Sequence, residues 1–217
     1  MNNKSKVKRG RPAHSPFELL AAKASILQAA ADVFDRTEGE APVEEVLKEA
    51  KISRATFYKH FTSKVALKEA LFEFAANNFF QTIQEEVNQV EDPLERLNRG
   101  LHAFLSFHAN RPRLYRTLMR SSLTPGTNLY SIRRKIIDRF SNFLAAEVER
   151  AGREPLDPLI YEALLGAVEG TSISVLKGSG KVDSSVISRA HAVLMRIIGS
   201  SLALKEDEIP PLPAVRD

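Results

Sequence analysis

Residues 42–64 read PVEEVLKEAKISRATFYKHFTSK, and the spacing inside that stretch decides the fold. Val43, Val46, Leu47 and Ala50 recur at i, i+3, i+4 and i+7, so a helix here buries one face and leaves Glu44, Glu45, Lys48 and Glu49 in water. Pro42 suits the first helical position, and the early acids suit the helix dipole. Ser53 is a strong N-cap for a second helix. Ile52 before it and Phe57 five residues on have the spacing of a hydrophobic staple, and Phe61 continues the buried edge. Away from that edge point Ala55 and Lys59, flanked by Thr56, Tyr58 and His60, on a short polar face without acids. A helix entering the major groove needs small residues for close approach and donors for phosphates and base edges, and this face offers both. The same spacing also describes an ordinary amphipathic helix pair, so on spacing alone both readings stand.

The strings around the pair separate them. ILQAAADVFDR at 26–36 and PVEEVLKEAKISRATFYKHFTSKVALKEAL at 42–71 together resemble the N-terminal domain of TetR-type bacterial transcriptional regulators. The resemblance covers about residues 26 to 71. It implies a recognition helix in which Thr56, Tyr58 and Lys59 meet bases or phosphates, with Arg54 at its positive N-terminal end, Ala55 and His60 on the same face, Phe61 as the staple aromatic, and Lys64 binding phosphate from the start of the next helix. Two positions depart from the family. Lys51 stands in the turn where glycine is usual, which predicts a positive φ under mild strain, and Ala55 stands where glycine is frequent.

Outward from this stretch, 217 residues with 43% hydrophobic composition suffice for a real core. Cysteine is absent, which excludes disulfides and thiolate metal sites and fits a reducing cytoplasm. No apolar run approaches a membrane span, and no secretory signal is readable, so the expectation is a cytoplasmic protein with no membrane partner. The net charge of +4 is unevenly spread: residues 1–14 carry five Lys or Arg and no acid. Within this arm Arg9-Gly10-Arg11-Pro12 resembles the core of an AT-hook, whose arginines are drawn into a narrow minor groove. A solubilising tail is the plainer reading of the same residues.

The rest of the chain reads as helices only, so the expected fold is all-α: an N-terminal helix-turn-helix DNA-binding domain followed by a helical effector-binding and dimerisation domain. The expected division is a basic arm at 1–16, the helix-turn-helix domain at 17–64, the helical domain at 65–206 and a Pro-rich tail at 207–217. One helix over 17–36 covers the pair, and a long helix from Ser63 through Val90 links the two halves. Asp92-Pro93, Pro112 and Asp157-Pro158 each begin another helix, with a loop at Ser121 to Asn128 and Gly152 as a stop. In the last two helices Gly166, Gly170 and Ser174 form a ridge of small residues, and Ala190, Leu194 and Ile197 recur at helical spacing. Glycine in a helix interior costs roughly 1 kcal/mol relative to alanine, which suggests a close contact that offsets it. The family resemblance implies that this pair forms a homodimer interface; the alternative is that it only closes the monomer core.

Phe104, Phe107, His108, Tyr115, Met119, Phe140, Phe143, Tyr161 and Glu162 are candidates to line a hydrophobic effector site, although aromatics at this spacing are more often plain core. No HExxH occurs among the five histidines, and the KGSGK stretch at 177–181 lacks the remaining residues of a phosphate loop. The sequence therefore calls for no metal, no cofactor and no enzymatic activity. The expected function is a ligand-responsive repressor binding a pseudo-palindromic double-stranded DNA operator as a homodimer, with a small-molecule effector of unknown identity. An architectural DNA-binding protein without effector is the alternative, and an α-helical enzyme a remote one.

Overall fold

The computed structural model describes residues 16–177 and 182–203. The arm with Arg9 and Arg11, the link at 178–181 and the tail beyond 203 lie outside the described residues. Within them every regular element is a helix: α1 (Pro16–Thr37), α2 (Val43–Ala50), α3 (Arg54–His60), α4 (Lys64–Val87), α5 (Pro93–Ala109), α6 (Pro112–Ser121), α7 (Asn128–Arg150), α8 (Pro158–Val175) and α9 (Ser184–Ala203).

Local chemistry explains the helix ends. Ser53, Ser63, Asp92, Thr127 and Asp157 each accept a hydrogen bond from a backbone N–H of the following first turn, satisfying donors that the helix itself leaves unpaired. Pro93, Pro112 and Pro158 fill the first turn, where a missing N–H costs nothing. Pro42 differs from the sequence expectation: it is the residue before α2 rather than its first residue, in an extended conformation. The arrest of α2 follows the expectation, with Lys51 in the left-handed region at φ 53° and ψ 42°. Its N–H and that of Ile52 fold back onto Lys48 and Leu47 carbonyls.

A continuous apolar core begins with Ile26, Val33 and Phe34 of α1, takes in Val46, Phe57 and Phe61, passes Leu67 and Leu71 of α4, and ends at Leu194 and Ile198 of α9. The helix-turn-helix is thus not a separately packed bead. A second apolar cluster, Phe79, Ile83, Val87 and Ala103, fills the far half of α4 against α5.

Polar bonds fix the joints. Arg96 of α5 is 8% exposed and makes a two-pronged bond with Glu147 of α7, 2% exposed, at 2.7 and 3.0 Å. Its remaining nitrogen donates to the Val87 and Val90 carbonyls at the end of α4, so one guanidinium ties three helices. At the opposite joint, α1 meets α6. Asp35 accepts from the Leu114 N–H at 2.9 Å and so caps α6 from a neighbouring helix, while Asp32 pairs with Arg111 at 2.8 Å. Gly39, at φ 78°, packs so tightly here that an added Cβ would lie 2.6 Å from Thr117 of α6.

Candidate nucleic-acid interface and cavity

α3 is positioned by its buried edge. Phe57 is fully buried and Phe61 nearly so, their rings 5.5 Å apart, and Ile52 packs against the same core. With that edge inward, Arg54, Ala55, Tyr58 and Lys59 are exposed and Thr56 and His60 are half-buried. Tyr58 is 52% exposed, its ring edge-on to Phe57, so the phenol stands outward on a fixed base. Neither the Tyr58 hydroxyl nor Lys59 has a hydrogen-bond or ion-pair partner among the described residues. Thr56 and Arg54 are less free than their positions suggest. The Thr56 hydroxyl shares a hydrogen bond with Ser53 at 2.9 Å, and Arg54 pairs with Glu44 of α2. A backbone hydrogen bond and the Arg54 guanidinium hold the Glu44 carboxyl below the usual range, so it remains a charged partner for Arg54.

Lys64 opens α4 and stands with its ammonium 5.9 Å from the Phe34 ring, half-buried. Two further lysines, which sequence reading left unassigned, share this corner: Lys68 lies over the same ring and Lys23 of α1 over Phe61, each at 5.9 Å. Burial, with Lys64 beside it, pulls the Lys68 ammonium below its ordinary range. The signal for Lys68 was present in the i, i+4 spacing from Lys64. Lys23 had none, since its place beside Phe61 depends on how α1 crosses α3.

Behind this head a cavity of about 190 Å³ opens between α1, α4, α5, α6, α7 and α8. Of the sequence candidates, Phe104, Phe107, His108, Tyr115, Met119 and Phe140 line it. Three do not. Phe143 borders a separate space of about 60 Å³; Tyr161 is buried with its hydroxyl accepting from the Leu156 N–H at 3.0 Å; and Glu162 is on the surface, paired with Arg134 at 2.9 Å. Residues 161 and 162 turn away because the side of α8 that meets the cavity carries Leu165, Val168 and Glu169 instead. Phe79 of α4 and an ion pair between Arg133 and Glu169 complete the wall and were not anticipated.

His108 is ringed by Phe104, stacked at 4.5 Å, and by Phe79 and Tyr115 edge-on at 5.0 and 4.2 Å. Burial pushes its imidazole down to about 4, so it is neutral near pH 7. Burial likewise raises the Tyr115 phenol well above its ordinary range, with Glu169 adding to the shift. Ser172 approaches the Tyr115 hydroxyl without closing a well-formed hydrogen bond.

The ridge of the last helices divides. Gly166, Gly170 and Ser174 are exposed on α8, and a Cβ built on either glycine meets nothing within 4 Å. Ile197 of α9 is 40% exposed, beside Val186 and Val193 at 37% and 45%. Ala190 and Leu194 were expected on the same contact surface, and this is corrected: at 4% and 0% exposure they pack into the chain's own core, on the inner side of α9 with Ile187 and Ile198. Among the described residues no group of three or more His, Asp or Glu is placed to hold a metal, and no helix is long and apolar enough to cross a membrane.

The head, the helical body and the comparisons agree on a class. Residues 26–71 match the family model for bacterial regulatory proteins of the tetR family. The nucleoid occlusion factor SlmA of Vibrio atlanticus is 33% identical over 155 residues, spanning 67% of this chain and 79% of that protein; the SlmA of Aliivibrio fischeri is 31% identical over the same shares. Among solved structures, the transcriptional regulator FadR of Bacillus subtilis, determined in complex with stearoyl-CoA, superposes with a TM-score of 0.69 at 18% identity, covering 82% of this chain and 98% of that one. A TetR transcription regulator from Haloarcula marismortui does so at 0.69 and 19%, covering 83% and 98%. The chain is a helix-turn-helix regulator, not an enzyme. It belongs to the TetR family of DNA-binding transcriptional regulators.

Proposed function

We propose that the protein is a ligand-responsive repressor, acting in the cytoplasm, that binds a pseudo-palindromic operator as a homodimer and releases it when an effector occupies the cavity. The observation that carries this reading is what the cavity touches. Gln28 and Ala31 of α1 and Leu71, Phe72 and Phe74 of α4 line it, and those same helices pack α2 and α3 through Phe34 and Leu67. A ligand that favours one placement of α4 over another would therefore bias the spacing of two recognition helices, and lower operator affinity by its preference between the states. On the DNA side Tyr58 and Lys59 would reach bases and phosphates, with Arg54 leaving Glu44 for a phosphate and Lys64 bonding from α4; the arm with Arg9 and Arg11 would add minor-groove contact.

For the dimer, the exposed ridge Gly166, Gly170 and Ser174 and the apolar side of α9 at Val186, Val193 and Ile197 would form the shared face. Open space at the Gly170 Cβ makes a clean test: Gly170→Leu fits the single chain, so a shift to monomer in sedimentation locates the interface, and an intact dimer moves it elsewhere.

Genome-wide mapping of bound DNA tests the function as a whole. A few strong sites with dyad symmetry ahead of genes support the repressor. Many dispersed sites would favour a second reading, drawn from the relatives named nucleoid occlusion factors: a chromosome-associated role in which DNA binding needs no effector.

A further inference from the structure

The wall of the cavity specifies what it is shaped to take. Most of its polar groups are already engaged or lie at the rim. Arg111 is held by Asp32 and Arg133 by Glu169; Gln28, Asn78 and Asn110 are exposed; the Tyr115 hydroxyl is sealed from the open space. His108 is the exception. Its Nδ1 lies 2.9 Å from the Phe104 carbonyl, which can only accept, so Nδ1 carries the proton and Nε2 presents a lone pair. That Nε2 bonds to no described group and is not among the sealed, unpaired atoms, and His108 lines the cavity, so the lone pair is available to an occupant. Apart from the Glu169 carboxylate, which Arg133 holds, the site offers one neutral acceptor among aromatic walls and calls for one donor.

Size and charge narrow the occupant. An enclosed apolar space of about 150 Å³ holds benzene, so 190 Å³ suits a molecule of roughly 7 to 10 non-hydrogen atoms. Phe79, Phe104, Phe107 and Phe140 favour a flat ring, which stacks or meets them edge-on. A carboxylate would find both lining arginines already neutralised and would face the lone pair of His108 and the Glu169 carboxylate.

We propose that the cavity takes an uncharged, single-ring aromatic hydroxyl compound whose O–H donates to Nε2 of His108. This rests on the reading of the cavity as the effector site, and the test separates the two.

Calorimetric titration of the full chain uses para-ethylphenol, its methyl ether para-ethylanisole, ethylbenzene, and decanoate as the charged aliphatic. The phenol should bind roughly three- to tenfold more tightly than the ether, the range for one neutral hydrogen bond. His108→Phe should erase that difference while ethylbenzene still binds. The comparison among ligands uses the unaltered protein, so it decides even if the variant misfolds. Equal affinity for phenol and ether overturns the donor contact; tighter binding of decanoate, or no binding of any aromatic probe, overturns the ligand class. DNA release is measured separately, on a duplex selected by the protein from a random pool. Phenol binding without release leaves the ligand class standing and removes effector control. Release by decanoate and not by phenol does the reverse.

Discussion

Two successive stretches of α4 show how differently one helix is used. From Lys64 to Ala70 it packs against the head: Leu67 is fully buried in the core shared with Phe34, Phe57 and Phe61. From Leu71 to Phe79 the same helix borders the cavity, before Ile83 and Val87 close against α5. The first stretch places α3 and leaves it little freedom, since close-packed side chains move together or not at all. The second stretch has somewhere to move. A packed head on a helix whose middle stretch borders a cavity is what the proposed switch requires. Substitutions in the two regions should consequently report on different things, stability behind the cavity and DNA affinity at the head.

The largest effect should come from the far side of the cavity. Arg96→Ala unties α4, α5 and α7 and leaves the buried Glu147 only the exposed Arg150 at 3.5 Å, and Glu147→Ala strips the buried Arg96 of its carboxylate and frees α7. A loss of about 3–5 kcal/mol of unfolding free energy in urea is expected. A loss below about 1 kcal/mol would mean that water reaches the pair and the joint is soft.

His108 comes next, through pH. In the unfolded chain a histidine titrates near 6.5, and in the fold His108 is pushed down to about 4. Between those values the unfolded chain binds the extra proton and the native state does not. The contribution is therefore complete above pH 6.5 and is lost as pH falls toward 4, by roughly 2–3 kcal/mol over the window. His108→Phe should flatten that part of the stability-pH curve. An unchanged curve would show that the imidazole is solvated, which would also weaken its place as the acceptor in the cavity wall.

At the boundary of the two regions stands Gly39. Gly39→Ala forces a side chain onto φ 78° and against Thr117. A cost of roughly 1–3 kcal/mol, read as a lower thermal midpoint, is expected from positive φ and overpacking together. A neutral Gly39→Ala would show that α1 and α6 separate easily, making that joint a further moving part.

How much of this was legible depended on the kind of constraint. The head was readable because its rules are local: Ser53 caps three residues ahead, Ile52 meets Phe57 five residues on, and Lys51 takes the left-handed turn because nothing else closes α2 there. The candidates on α5 and α6 line one cavity because Phe104, Phe107, His108, Tyr115 and Met119 lie on one apolar side of neighbouring helices. Tyr161 and Glu162 failed because the period of α8 does not say which side meets α7. α9 is apolar on two sides, with Ile187, Ala190, Leu194 and Ile198 inward and Val186, Val193 and Ile197 outward. Period alone merged these sets, and Ala190 and Leu194 were misassigned with Ile197. The Arg96–Glu147 bond joins residues 51 apart, and no local pattern announces such a contact.

The smallest effect on stability, and the sharpest on function, belongs to the recognition helix. Tyr58 and Lys59 are exposed and without a polar partner among the described residues, and the Tyr58 ring rests edge-on against Phe57, so Tyr58→Phe and Lys59→Ala remove no buried contact. Unfolding free energy should stay within about 0.5 kcal/mol, as for ordinary surface changes. DNA affinity should fall for both, and the two losses should differ in kind. Lys59→Ala removes a cation, so fewer counterions are released on binding and the slope of log K against log salt should shrink by about one. Tyr58→Phe removes only a hydroxyl, leaving the slope unchanged while affinity drops by the equivalent of one hydrogen bond, roughly three- to tenfold. Binding isotherms at four salt concentrations on one selected duplex separate the cases. If Lys59→Ala lowers affinity with no change in slope, the lysine reads a base rather than a phosphate. If neither variant alters binding, this face of α3 is not in the groove, and Arg54 and Lys64 must be carrying the contact from its edge.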